Sequence, residues 1–282
     1  MTQLPMTNQP PLKLLILGAH PDDAEFHAGG LATIYRRLGH QVKFISLTNG
    51  AAGHHLHFGD KLVSIRFAEA QRAAELIGAE CEVWEHPDGE LLPSLELRRQ
   101  VIGEIRRYRP SLILTHRTND YHPDHRAVGN VVRDACYMIG VPAIVPDVPV
   151  VEQTPVVAFM PDRFTKPTPL AGDVVVDVTS EIDTIVAMLA CHVSQVFEWL
   201  PHNLGIASQV PPEDSARRQW LQGWYLNHLR PAADRYRSEL IKTYGPVRGS
   251  QIQYAEAFEI SEYAAPLDAA ARTRLFGFVS AC

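Results

Sequence analysis

Lys13-Leu14-Leu15-Ile16-Leu17-Gly18-Ala19-His20-Pro21-Asp22-Asp23 is the stretch that decides how this chain is read. It opens with an apolar run of strand length and ends in a cluster that sets a metal-binding residue type beside acid–base types. A second cluster, His122-Pro123-Asp124-His125, follows another apolar run at Leu112–Thr115. Two such clusters, each placed where a strand should end, predict one metal site assembled from two loops.

Working outward, strand and helix patterns alternate. Strands are expected at Lys13–Ala19, Gln41–Leu47, Glu80–Trp84 and Ser111–Thr115, and helices at Glu25–Leu38, Lys61–Ile77, Leu95–Tyr108 and Asp124–Met138. Gly39 and Gly78 are helix stops, and Arg109-Pro110 ends the third helix. This order predicts an α/β fold, a Rossmann-like three-layer sandwich with a mostly parallel sheet and right-handed crossovers. Ligands of such sheets bind beyond the carboxyl ends of the strands. His20–Asp23, Thr48–Gly50, Asp88 and His122–His125 follow strands one to four, so they converge on one rim.

The second half is less regular. Proline-rich Val141–Ala171 reads as loops and edge strands, with Pro155–Phe159 the best strand. Asp173–Val178 is another strand, and Ser180–Val193 a helix with Ser180 as N-cap. Asp214–Tyr244 is expected to be mostly helical and broken near Pro231, before a closing strand at Gln251–Ile260. The chain is expected to be one domain over residues 12–282, with 197–250 a helical C-terminal insertion or lid and 1–11 a disordered lead-in.

Among 282 residues, 46% are hydrophobic and the net charge is −6, which gives no support for nucleic-acid binding or an anionic membrane partner. Cys81, Cys136, Cys191 and Cys282 lie far apart and read as reduced thiols, which excludes a cysteine-based zinc site. With neither a signal-peptide pattern nor a membrane-spanning apolar run, the expected location is cytoplasmic.

The chemistry follows from the spacing. His20 and Asp23, three apart across a strand-to-helix turn, can face one ion, and His125 can add a third ligand. Asp22 is then free to take the proton of the attacking water. His122 is near enough to protonate a leaving group or stabilise an oxyanion, and Asp124 could hydrogen-bond His122 and favour its imidazolium form. The plainer reading makes each His-Pro-Asp a turn, with Asp22, Asp23 or Asp124 capping a helix.

Ala19-His20-Pro21-Asp22-Asp23 with Gly29-Gly30, followed by His122-Pro123-Asp124-His125, resembles the PIG-L/LmbE-like zinc-dependent N-acetylglucosamine deacetylase superfamily. Weaker marks in register are Thr48-Asn49-Gly50, Arg66 and Glu69, Pro87-Asp88-Gly89, His192-Val193-Ser194-Gln195 and Ala255-Glu256-Ala257-Phe258. The resemblance covers nearly the whole chain apart from Phe197–Ser250. It implies His20, Asp23 and His125 as metal ligands for Zn2+ (Fe2+ being possible in its place), Asp22 as the base activating a zinc-bound water, and His122 as the oxyanion partner. Arg66 and Asp88 match sugar-contacting positions, against plainer readings as a salt bridge with Glu69 and an Asp-Gly turn. His192 is expected either at the substrate or in a structural role.

The implied partner is a small N-acetylated sugar or glycoconjugate, and a homo-oligomer is possible. A non-haem Fe(II) enzyme using the same site of two histidines and one aspartate, or a non-catalytic sugar-binding protein, are the alternatives. His54, His55 and His57 read as a solvated loop near the site, and His27 and His40 as surface or packing residues. Trp199, His202, Trp220, Trp224, Tyr225, His228 and Tyr236 could wall a sugar site; helical packing is the favoured reading.

Overall fold

A computed structural model describes residues 10–279, so most of the expected lead-in at 1–11 lies outside the described residues. The elements are β1 (Lys13–Gly18), α1 (Asp23–Arg37), β2 (Gln41–Thr48), α2 (Gly59–Ile77), β3 (Glu80–His86), α3 (Leu95–Tyr108), β4 (Leu112–Thr115) and α4 (Pro123–Met138). There follow β5 (Val156–Phe159), β6 (Val174–Asp177), α5 (Ile182–Leu189), α6 (Leu200–Asn203), α7 (Asp214–Arg235), α8 (Arg237–Tyr244), α9 (Pro246–Gln251), β7 (Ala255–Ile260) and α10 (Ala269–Phe276).

The sheet runs β3-β2-β1-β4-β5-β7-β6. β1 to β5 are parallel, whereas β7 runs antiparallel to both β5 and β6. Alternate residues of β1 feed opposite faces: Leu14 and Ile16 enter one buried cluster, Leu15 and Leu17 the other. Helices cover both faces, which is why the strand is apolar throughout. The expected α/β sandwich is the observed one.

Three local expectations are corrected. Ser180 caps nothing; its hydroxyl bonds Glu181 inside a short 3-10 turn, and α5 starts at Ile182. α7 continues through Pro231 and breaks at Tyr236, whose hydroxyl is anchored 2.7 Å from the Leu170 carbonyl oxygen. The closing strand begins at Ala255 because Pro246 starts the short α9 ahead of it.

One glycine fixes how α1 meets the sheet. A Cβ on Gly30 would stand 2.3 Å from Val178 Cγ1, so only glycine permits this approach. The buried Glu256 carboxylate on β7 accepts from Gly30 N and Leu31 N at 2.7 and 2.9 Å, tying the antiparallel edge to the helix that carries Asp23.

Candidate active site

The two clusters meet at the carboxyl rim of β1 and β4. His20 Nδ1 lies 3.3 Å from His125 Nε2 and 3.7 Å from Asp23 Oδ2, and His125 Nε2 lies 3.5 Å from Asp23 Oδ1. Donor atoms about 2.0–2.2 Å from a tetrahedral ion stand roughly 3.3–3.6 Å apart, so the two separations from His125 Nε2 fit a zinc-sized cation, whereas the 3.7 Å contact of His20 is to the other Asp23 oxygen. His20, His122 and His125 also offer three nitrogens within 4.8 Å of one another, as do donor atoms of Asp23, His116 and His125.

Each donor is turned inward by what its other atoms do. Asp23 Oδ2 accepts from Ala19 N and His20 N, both at 2.8 Å, and stands 3.0 Å from His116 Nε2. This leaves Oδ1 toward His125. The far nitrogen of His20 lies 3.1 Å from Asp88 Oδ1 and 3.3 Å from Asp124 Oδ2, so a proton is held on that side and Nδ1 is turned toward His125. His125 Nδ1 lies 3.1 Å from Asp120 Oδ1.

The electrostatics suit a cation. Burial opposes charge on His20, but the Asp124 and Asp88 carboxylates overcome it and push the imidazole up to about 10. Burial likewise opposes ionisation of Asp23, yet His125 and His116 hold it well below the usual carboxylate range. Asp22 differs: burial raises it, and Arg66 pulls the other way through a 3.0 Å Nη2–Oδ1 contact. Two carboxyl groups adjacent in sequence are thus shifted in opposite directions by their surroundings.

Several expected residues sit otherwise than expected. Asp124 does not hold His122 through its carboxylate. It is fully buried, accepts from Gly89 N and Leu91 N at 2.7 and 3.1 Å, and faces His20 instead. His122 caps α4, its Nδ1 accepting from Asp124 N at 3.2 Å, and burial lowers its pKa, so the imidazolium expectation is corrected. His192 has 0% exposure and stands 3.2 Å from Glu25, behind Asp22, with no surface left for a substrate. Arg66 lines the cleft but is 2% exposed, and it pairs with Asp22 and Asp88 rather than Glu69; Glu69 is taken by Ser194 N and Oγ. Asp88 also lines the cleft, its Oδ2 occupied by Ala52 N and Gly53 N at 3.1 Å each.

Sequence reasoning missed His116, Asp120 and His27. His116 is the first residue past β4, the same rim position that singled out the clusters, and its ring stacks on His125 at 3.9 Å. His27 lies one turn beyond Asp23, its Nε2 4.0 Å from Asp23 Oδ1. The aromatic segment divides: Trp199 walls the cleft, whereas Trp220 and Trp224 stack on each other and Tyr225 bonds the Phe26 carbonyl oxygen. His55 and His202 stack at 3.8 Å near Trp199, and His54 is buried against Glu198, so the histidine loop is partly packed while Leu56 and Phe58 stay exposed.

Comparison with known proteins places this site in context. Residues 15–136, which include both clusters, match the PIG-L family, described as GlcNAc-PI de-N-acetylase. A 4-oxalmesaconate hydratase of Pseudomonas putida is 26% identical over 200 residues, covering 68% of this chain and 77% of the hydratase. The diacetylchitobiose deacetylase of Thermococcus kodakarensis is 30% identical over 136 residues, covering 46% of this chain and 51% of the deacetylase. The chain thus spans about half the length of that deacetylase. The solved 4-carboxy-2-hydroxymuconate hydratase of Pseudomonas putida shares the fold, with a TM-score of 0.70 and 20% identity over 88% of this chain and 95% of its own.

Proposed function

We propose that this chain, whose residues 15–136 match the PIG-L family, is a metal-dependent hydrolase removing an N-acetyl or other N-acyl group from an N-acetylglucosamine-type sugar or glycoconjugate. The observation that carries this reading is that His125 Nε2 lies within 3.5 Å of both His20 Nδ1 and Asp23 Oδ1, beside the Arg66-bound Asp22 in one cleft.

His20, Asp23 and His125 would hold the ion. Bound there, zinc supplies Lewis acidity, which acidifies water and polarises an amide carbonyl. Asp22 takes the proton of the attacking water, with Arg66 fixing its carboxylate and keeping it ionised. His122 accepts Asp124 N at Nδ1, so its Nε2 bears the proton and donates to the developing oxyanion as a neutral imidazole. Asp22 then returns its proton to the departing amine. Asp88, Asp120, Asp124 and His116 orient the ligands.

Metal analysis of the purified chain, with amine release from a panel of N-acetylated sugars, tests the proposal. Asp22→Asn should keep the metal and lose about 10²–10⁴-fold in turnover, whereas His20→Ala should lose the metal. A near-normal rate for Asp22→Asn sinks the mechanism.

A hydratase reading draws on the Pseudomonas putida relative, which aligns over more of this chain than the deacetylase does. The same base could deliver water to an activated double bond. A substrate bearing several carboxylates needs cations besides the metal, however. Among the described residues lining the cleft, Arg66 is the one lysine or arginine, and Asp22 and Asp88 occupy it. Hydrolysis splits its substrate into amine and acid, whereas hydration releases no amine.

A further inference from the structure

A second chamber of about 200 Å3 adjoins the cleft, and Phe26 and His27 wall both spaces. Asp23, Phe26 and His27 stand at i, i+3 and i+4 on α1, so one helical face carries the metal ligand and the partition beside it. Beyond the partition the lining is mainly Phe164, Leu170, Leu229, Ala232 and Tyr236.

Most polar groups of that lining are already engaged. Asp162 binds Arg117 through both oxygens at 2.6 and 2.7 Å. Tyr236 Oη donates to the Leu170 carbonyl oxygen, and Arg163 Nη2 donates to the His228 carbonyl oxygen at 2.7 Å. Burial keeps the His228 imidazole neutral, depressed to about 3. The opposite wall of the cleft differs in kind: it is polar, lined by Arg66, Asp88 and Gln195, which bond one another and the Gly53 loop, and by Trp199, which offers a stacking face suited to a sugar ring. The two sides of the ligand cluster are thus chemically unlike.

We infer that the chamber is an acyl subsite and that the preferred substrate carries an N-linked acyl chain longer than acetyl, of about six carbons. This rests on the hydrolase reading above, since the acyl carbon must sit at the His20–Asp23–His125 cluster for the chain to pass Phe26. The size agrees: an apolar cavity of about 150 Å3 holds benzene, and this one is larger.

Binding of straight-chain carboxylates from acetate to decanoate to the metal-loaded full chain, measured by calorimetry, tests the subsite without requiring turnover. Burying a methylene is worth about fourfold in affinity, so hexanoate should bind up to roughly 200-fold tighter than acetate, with no further gain beyond about eight carbons. Ala232→Phe, which fills the chamber, should reduce the hexanoate-to-acetate ratio at least tenfold, and the kcat/KM ratio for N-hexanoyl over N-acetyl glucosamine should fall in parallel. A flat chain-length series overturns the inference even if the variant does not fold, and so does an unchanged ratio in a folded variant. Failure to turn over any N-acyl glucosamine would sink the hydrolase reading, while the carboxylate series would still decide the chamber.

Discussion

Replacing Arg66 by Met asks whether this side chain serves the base or the substrate. The guanidinium is 2% exposed, with Nη2 3.0 Å from Asp22 Oδ1 and Nη1 3.7 Å from Asp88 Oδ2. An opposite charge at that range lowers a carboxyl pKa by about 1–3, equivalent to roughly 1.4–4 kcal/mol favouring the ionised form. Burial already raises Asp22, so without Arg66 its pKa climbs further. Asp22 must be ionised to accept a proton, so activity falls as pH drops through its pKa. Removing Arg66 therefore moves the acid limb of kcat/KM to higher pH by about 1–3, and Arg66→Lys moves it less. At pH below the wild-type limb the loss should be about 10–1,000-fold, shrinking as the solution becomes alkaline. The assay is a pH profile of kcat/KM for wild type and both variants. A uniform loss, with KM raised and the limb unmoved, would refute this account and return Arg66 to the substrate-contacting role the sequence alone suggested.

Two further outcomes follow from other atoms. Asp124→Asn weakens the partner of His20 Nε2 while leaving an acceptor for Gly89 N, so metal affinity measured by chelator competition should fall about 10–100-fold; unchanged affinity would remove Asp124 from the site. Glu256 is fully buried, and burial raises it from 4.5 to about 7 despite the two amides it accepts. The folded state therefore binds its proton more tightly than the unfolded chain, so this group costs up to about 3 kcal/mol as pH rises from 4.5 to 7. Denaturant unfolding across that range should show a slope in wild type that flattens in Glu256→Gln; equal slopes would refute it.

The parallel core and its carboxyl rim were legible from the residues. Residues Leu14–Leu17 are apolar without alternation because both faces of β1 are covered, and a strand with that property, followed by helix, admits few topologies. The meeting of His20, Asp23 and His125 at one rim was legible for the same reason, since each stands one to a few residues past a strand end and the topology gathers strand ends. Partnerships among side chains were not legible, because they depend on distances between segments that sequence spacing does not constrain. Asp124 sits two residues from His122 yet serves His20, 104 positions away, since α4 turns its carboxylate toward the loop after β3. Arg66 came to Asp22 rather than Glu69 because α2 crosses behind the first loop. His116 and His27 carried no motif, and only packing put their rings beside Asp23. The chamber beyond Phe26 belongs to the same class: its walls come from α1, the loop after β5, α7 and β7, and only the closed fold brings them together.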